Sequence, residues 1–244
     1  MHTTLSPRPR AAEDADFYPT SDGRPLGETP THFRNSLLVT DALETRFGGD
    51  PQVYIAGNMF LYYVQGDRWK HVSPDVFIVF GVPRDKPRKA YFLWEEGKAP
   101  DLVVELTSQS TLGEDIDDKK AIYRDILGVR EYILFDPYGE YLNPRLQGFR
   151  LEDGQYVPLP MVSGRLPSAV LGLEFEPCGM DLRLYDPAAG HWLATPDELR
   201  RMVADAAVER DRVAAERDRV VDEKSRLEAE IAELRRRLAE RGEG

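Results

Sequence analysis

Two carboxylates in this chain sit where a charge is costly. Asp75 opens an apolar strand, PDVFIVFGV (74–82), and Glu105 stands inside another, PDLVVELTS (100–108), between Val104 and Leu106. A charge among such neighbours has to be paired, hydrogen-bonded or bound to a metal. Carboxylates carried by neighbouring strands can share one divalent cation. Mg²⁺ suits this arrangement, because it takes a few oxygen ligands and keeps several waters. Such an ion makes a bound water more acidic, and so a better nucleophile, and it neutralises charge on a phosphoryl group.

Further candidates follow on a helix. In GEDIDDKKAIYRDIL (113–127), Asp115, Lys119 and Tyr123 are spaced i, i+4, i+8 and stack on one face. The helix begins shortly after Glu105, so this face can lean over the carboxylates. A lysine there can orient the attacking water or stabilise charge developing on the phosphate. The same spacing also fits an ordinary surface Asp–Lys pair with a tyrosine packed beneath it.

These side chains need a scaffold, and the chain supplies the pattern of one. THFRNSLLVTDALETRF (31–47) spaces Phe33, Leu37, Leu38, Ala42 and Leu43 on one helical face, with Thr31 as N-cap and Gly48-Gly49 as the stop. QVYIAGNMFLYYV (52–64) reads as an aromatic, β-branched strand. The strand at 100–108, the helix at 113–127 and the strand REYILFDP (130–137) make a βαβ unit, which predicts two parallel neighbours. Residues 140–194 read as short strands that finish the sheet. Residues 1–30 hold five prolines and little apolar periodicity, the pattern of a flexible arm.

The composition changes at Thr195-Pro196. Beyond it neither Gly nor Pro appears until Gly242, and Leu199, Ala206, Val213, Val220, Leu227 and Leu234 recur with a period of seven. Four residues after each stand Val203, Arg210, Arg217, Lys224, Ile231 and Leu238, so residues 197–244 read as a coiled-coil helix with apolar ends and a charged middle. Such a seam calls for a partner, the simplest being a second copy, in a homodimer or higher homo-oligomer. A solitary charged helix is the plainer alternative.

The single cysteine, Cys178, excludes an internal disulfide framework and fits a reducing compartment. The first residues carry no apolar leader, and no apolar run approaches the ~20 residues of a membrane span. A cytoplasmic protein without membrane contact is expected. The net charge is −11, of which −9 falls on residues 1–196. Bulk charge of that sign does not attract nucleic acid, so a phosphate contact needs a local basic patch or a metal ion. The 29 residues between Asp75 and Glu105 offer one candidate: Arg84, Lys86, Arg88, Lys89 and Lys98 alternate with Tyr91, Phe92 and Trp94. Cations among aromatic planes suit a nucleic-acid strand. A loop packing its aromatics on the sheet fits equally well.

The ordered set PDV (74–76), APDLVVELTSQST (99–111), D-x-x-x-K-x-x-x-Y (115–123) and GVREYILFDP (128–137) resembles the bacterial Uma-two family of restriction-endonuclease-like proteins, assigned to the PD-(D/E)XK nuclease superfamily. The likeness spans roughly residues 30–195, and LRLYDPAAGHWLATPDELR, followed by a charged helix, is similar to one branch of that family. It implies an α/β fold with a mixed central sheet flanked by helices, over 31–196. It also implies Mg²⁺ or Mn²⁺ as cofactor and DNA as substrate, cut by phosphodiester hydrolysis. By this resemblance Asp75 matches the first metal-binding aspartate. Glu105 matches the (D/E)XK glutamate, with the Leu106 carbonyl as a further ligand. The superfamily lysine belongs two residues after the glutamate, where this chain has Thr107. Lys119 then takes its role from the helix, with Asp115 and Tyr123 as accessory positions. His32 sits where many relatives have a histidine, although a surface histidine is the preferred reading of it. The rival reading is a catalytically silent scaffold that keeps the fold and assembles through its coiled coil. A complete Asp/Glu/Lys set favours the enzyme, whereas the acidic surface and displaced lysine favour the scaffold.

Overall fold

The computed structural model describes residues 17–20, 29–107 and 115–242, the last stretch without side chains at 115–117 and 238–242. It divides into two compact units, residues 1–193 and 194–244.

The first unit is built on a six-stranded mixed sheet. Its strands are β1 (Val53–Ala56), β4 (Val76–Phe80), β6 (Leu102–Leu106), β7 (Glu131–Phe135), β8 (Leu146–Glu152) and β9 (Gln155–Pro158), hydrogen-bonded in that order. Within this sheet only β6 and β7 pair in parallel; β4 runs antiparallel to β6, with Val76 opposite Val104. The parallel pair is joined by α3 (Asp115–Ala121) and the π-helical turn that continues it, Ile122–Leu127. Two smaller sheets complete the unit. One holds β2 (Leu61–Tyr62), β3 (His71–Val72) and β5 (Tyr91–Phe92), which leads into the short helix α2 (Leu93–Glu96). The other joins β10 (Leu166–Ser168), β11 (Leu173–Cys178), β12 (Asp181–Asp186) and β13 (His191–Trp192). Residues 140–194 therefore do not simply extend the main sheet: β8 and β9 join it, while β10–β13 form a layer of their own.

Alternation along the central strands sorts the core into two faces. Val76, Ile78, Val104, Leu106, Ile133 and Phe135 meet Val39 and Leu43 of α1 (Pro30–Phe47), together with Phe175, Leu182 and Leu184 of the second sheet. Each fully buried aliphatic side chain here is worth about 1.5–3 kcal/mol. On the opposite face, Phe77, Val79, Val103, Tyr132 and Leu134 pack under Tyr123 and Leu127.

Helix α1 differs from its sequence reading at its first turns. Its N-cap is Thr29, whose hydroxyl accepts the His32 N–H at 3.2 Å, with Pro30 in the first turn. Phe33 and Leu37, expected in the core, are 55% and 45% exposed, and His32, Asn35 and Ser36 turn inward instead. The inward face meets polar strand ends at this level, so polar side chains satisfy them. Asn35 accepts Leu182 N–H and donates to the Thr31 and Met180 carbonyls, and Ser36 donates to the Asp75 carbonyl.

The stretch 52–64 is two strands in different sheets, broken at Gly57-Asn58. A Cβ at Gly57 would stand 2.3 Å from the Asp75 carbonyl oxygen, so only glycine lets the two backbones approach. Near the N-terminus, Tyr18 is buried against Tyr62, Phe92 and Trp94, and its hydroxyl accepts Gly66 N–H. This part of the expected flexible arm is packed; the rest, 1–16 and 21–28, lies outside the described residues.

The second unit is one helix, α4 (Pro196–Gly242), 47 residues and about 70 Å long. Thr195 and Glu198 cap it reciprocally: the Thr195 hydroxyl accepts Glu198 N–H, and the Glu198 carboxylate accepts Thr195 N–H. Val213, Val220, Leu227, Ile231 and Leu234 are about half exposed or more. Arg210 and Arg217 fold back onto the adjacent Asp211 and Asp218. The Leu238 side chain lies outside the described residues.

Candidate active site

The site forms at one end of the antiparallel β4–β6 pair. Because Val76 stands opposite Val104, the next register position sets Asp75 opposite Glu105. Both residues follow the odd-numbered alternation of Phe77, Val79 and Val103, which faces the π-helical turn. Both are buried, at 8% and 6% exposure.

Asp75 is held from two sides. Leu106 N–H donates to its Oδ2 at 2.7 Å, and His32 Nε2 lies 3.2 Å from the same oxygen and 3.1 Å from the Leu106 carbonyl. Both partners of Nε2 are acceptors, so this nitrogen carries the proton. Burial pushes the Asp75 carboxyl up. The hydrogen bond and charge of His32, the charge of Lys119 and the Leu106 N–H outweigh burial and hold it below the usual carboxylate range.

Glu105 is held from the helix. Tyr123 O–H donates to Oε1 at 2.6 Å, and Lys119 Nζ lies 3.3 Å from Oε2 and 3.4 Å from the Ser73 carbonyl. Here burial dominates and pushes the carboxyl up to about 8. Lys119 and Tyr123 pull it down, while the neighbouring Asp75 charge adds to the rise. The two neighbouring carboxyls are thus pushed in opposite directions, Asp75 down and Glu105 up.

Tyr123 lies in the π-helical turn and is fully buried, whereas Ile126 is 52% exposed. Gly128 ends it in the left-handed region at φ 62°, with Val129 N–H donating to the Tyr123 carbonyl.

The structure thus brings Asp75, Glu105, Lys119 and Tyr123 together. Asp115 starts α3, and its side chain lies outside the described residues. His32, read as a surface residue, is buried in the site. The signal for it was available in the i, i+4 spacing of His32 and Ser36, two polar residues that both contact Asp75. Four of the five cations of the basic insert are paired, while Lys89 is exposed. Arg84 pairs with Glu44, Lys86 and Arg88 share Glu96, and Lys98 pairs with Asp101, while Tyr91 is fully buried and Phe92 and Trp94 stack around Tyr18. Its charges and aromatics hold the insert against the sheet.

The central mixed sheet flanked by helices is a restriction-endonuclease-like fold. The Uma2 family, described as "Putative restriction endonuclease", matches residues 13–183, and the chain belongs to that family. The chain is also similar to a solved structure described as a putative nuclease belonging to DUF820 from Anabaena variabilis. The two are 12% identical, with 59% of this chain and 76% of that chain covered and a TM-score of 0.45. No curated protein matches the chain. Among the described residues, no helix is long and apolar enough to cross a membrane.

Proposed function

We propose that this chain is a metal-dependent endonuclease that hydrolyses DNA phosphodiester bonds. The observation that carries this reading is the buried pair Asp75 and Glu105, set opposite each other with Lys119 on the second carboxylate. Two adjacent buried carboxylates repel one another, and a cation between them relieves that cost.

The donor set fits Mg²⁺ or Mn²⁺. Among the described residues no group of three or more His, Cys, Asp or Glu side chains gathers as a metal site. The protein would therefore supply Asp75, Glu105 and the Leu106 carbonyl, leaving the other positions to water, as a hard cation allows. When bound, the ion supplies charge neutralisation at the phosphate and a more acidic water.

The remaining steps belong to the chain. His32 and the Leu106 N–H fix the direction of Asp75. Tyr123 locks one Glu105 oxygen and leaves the other toward Lys119. The Lys119 ammonium, 18% exposed and beside both carboxylates, is placed to donate to a phosphate oxygen as charge builds there. The long helix α4 joins two copies through its seven-residue apolar repeat, so the enzyme acts as a homodimer in the cytoplasm.

The test is cleavage of plasmid and linear DNA, and of RNA, with Mg²⁺ or Mn²⁺, by the wild type beside Glu105→Ala. DNA cleavage that needs the metal and vanishes in Glu105→Ala supports the reading. Equal cleavage by both proteins, or none by the wild type with either metal, overturns it.

A further inference from the structure

Two residues beyond Glu105 lies a buried, unpaired hydroxyl. Thr107 is 4% exposed, and its Oγ1 has no hydrogen-bond partner among the described residues. A buried hydroxyl left unpaired is costly, so native proteins rarely keep one without a ligand or water to satisfy it. A β-branched side chain at a strand end needs no hydroxyl, since valine has the same shape.

The position of this hydroxyl indicates its partner. Thr107 N–H donates to the Phe135 carbonyl at 2.8 Å, which continues the β6–β7 ladder one residue past Leu106. The backbone is therefore still extended, and alternation sets Thr107 on the same face as Glu105 and Asp75. Residues two apart on a strand are spaced by about 6.6 Å. A short hydroxyl side chain on that face is within reach of a water that would be bound to an ion held by Asp75 and Glu105.

We propose that the Thr107 hydroxyl is a positioning group that hydrogen-bonds the water shell of the divalent cation held by Asp75 and Glu105. The inference rests on the metal-site reading above and extends it to a residue outside the acidic pair.

Calorimetric titration of Mn²⁺ into the full chain, with melting curves in chelator and in Mn²⁺, tests this for the wild type, Thr107→Val, Thr107→Ser and Glu105→Gln. Outer-shell partners are worth roughly 10–100-fold in metal affinity, so Thr107→Val should bind Mn²⁺ about tenfold more weakly. In chelator the same variant should melt higher by roughly 2–4 °C, because an unsatisfied group has been removed. Thr107→Ser should bind like the wild type. Unchanged Mn²⁺ affinity in Thr107→Val overturns the proposal, as does a Thr107→Ser affinity as weak as that of Thr107→Val. If Glu105→Gln binds Mn²⁺ as tightly as the wild type, the metal-site reading itself falls, and the role of Thr107 with it.

Discussion

Lys119 Nζ stands 3.3 Å from Glu105 Oε2, across a sequence separation of 14 residues. The next residue, Lys120, instead sits over the Phe149 ring, 3.4 Å from its centroid. One step of about 100° round the helix separates a lysine in the site from a lysine outside it. Replacing Lys119 with alanine should lower DNA cleavage by about 10²-fold or more and leave the melting temperature within a few degrees, since the group acts on developing charge. Lys120→Ala should cleave like the wild type. Equal activity of the two variants would take Lys119 out of the mechanism.

Glu105 makes the metal-free protein pH-sensitive in a direction opposite to that of most carboxylates. Its folded pKa of about 8 lies above the ordinary value of 4.5, so between those values the unfolded chain has lost a proton that the folded chain keeps. Stability of the metal-free protein should fall as pH rises through that window and level off above it. Mn²⁺ affinity should rise over the same range, because binding expels the proton. Glu105→Gln should flatten the stability slope. Melting curves from pH 5 to 9 in chelator, with Mn²⁺ titrations alongside, read both effects.

Asp136 has the reverse sign. It is fully buried at the end of β7, where its carboxylate accepts the N–H groups of Tyr138, Gly139, Tyr141 and Leu142. Burial raises its pKa, but these four bonds outweigh it and hold the group low. The stabilisation is present above the unfolded carboxylate pKa and is lost as pH falls through the lower folded value. An amide cannot accept all four bonds, so Asp136→Asn should destabilise the protein by roughly 2–3 kcal/mol at neutral pH. Denaturant melts of the two proteins, repeated at acid pH where the difference should shrink, check this.

The tail is tested by mass. Six residues from Leu199 to Leu234 repeat every seven positions, and an exposed apolar repeat gains little in an isolated helix. Light scattering should give a dimer for the full chain and a monomer for residues 1–196. Monomers in both cases would leave α4 a solvated helix. Dimers in both would move the interface to residues 1–196. Arg210, Arg217 and Lys224 at the second seam position make the middle the weakest part, so hydrogen exchange should be faster there than at either end.

The types of the site residues and the elements that carry them were legible from the chain alone. A charge inside an apolar strand is visible wherever it occurs, as at Glu105, and i, i+4, i+8 spacing places Lys119 and Tyr123 on one helical face without any knowledge of the partner. Parallel pairing of β6 and β7 followed from the helix between them. What only the tertiary structure decided was what each polar group meets. His32 reads as a surface residue because its own turn contains Phe33 and Leu37, and periodicity assigns the core to the apolar side. The inward direction was set instead by strand ends 43 and 74 residues away, which need hydrogen bonds rather than methyl groups. For the basic insert the sequence left two readings open, and the tertiary structure favours the loop packed on the sheet. Arg88 and Lys86 both pair with Glu96 once β5 and α2 fold back. Periodicity records which side of an element is apolar, whereas pairing between distant charges depends on loop closure that no local pattern encodes.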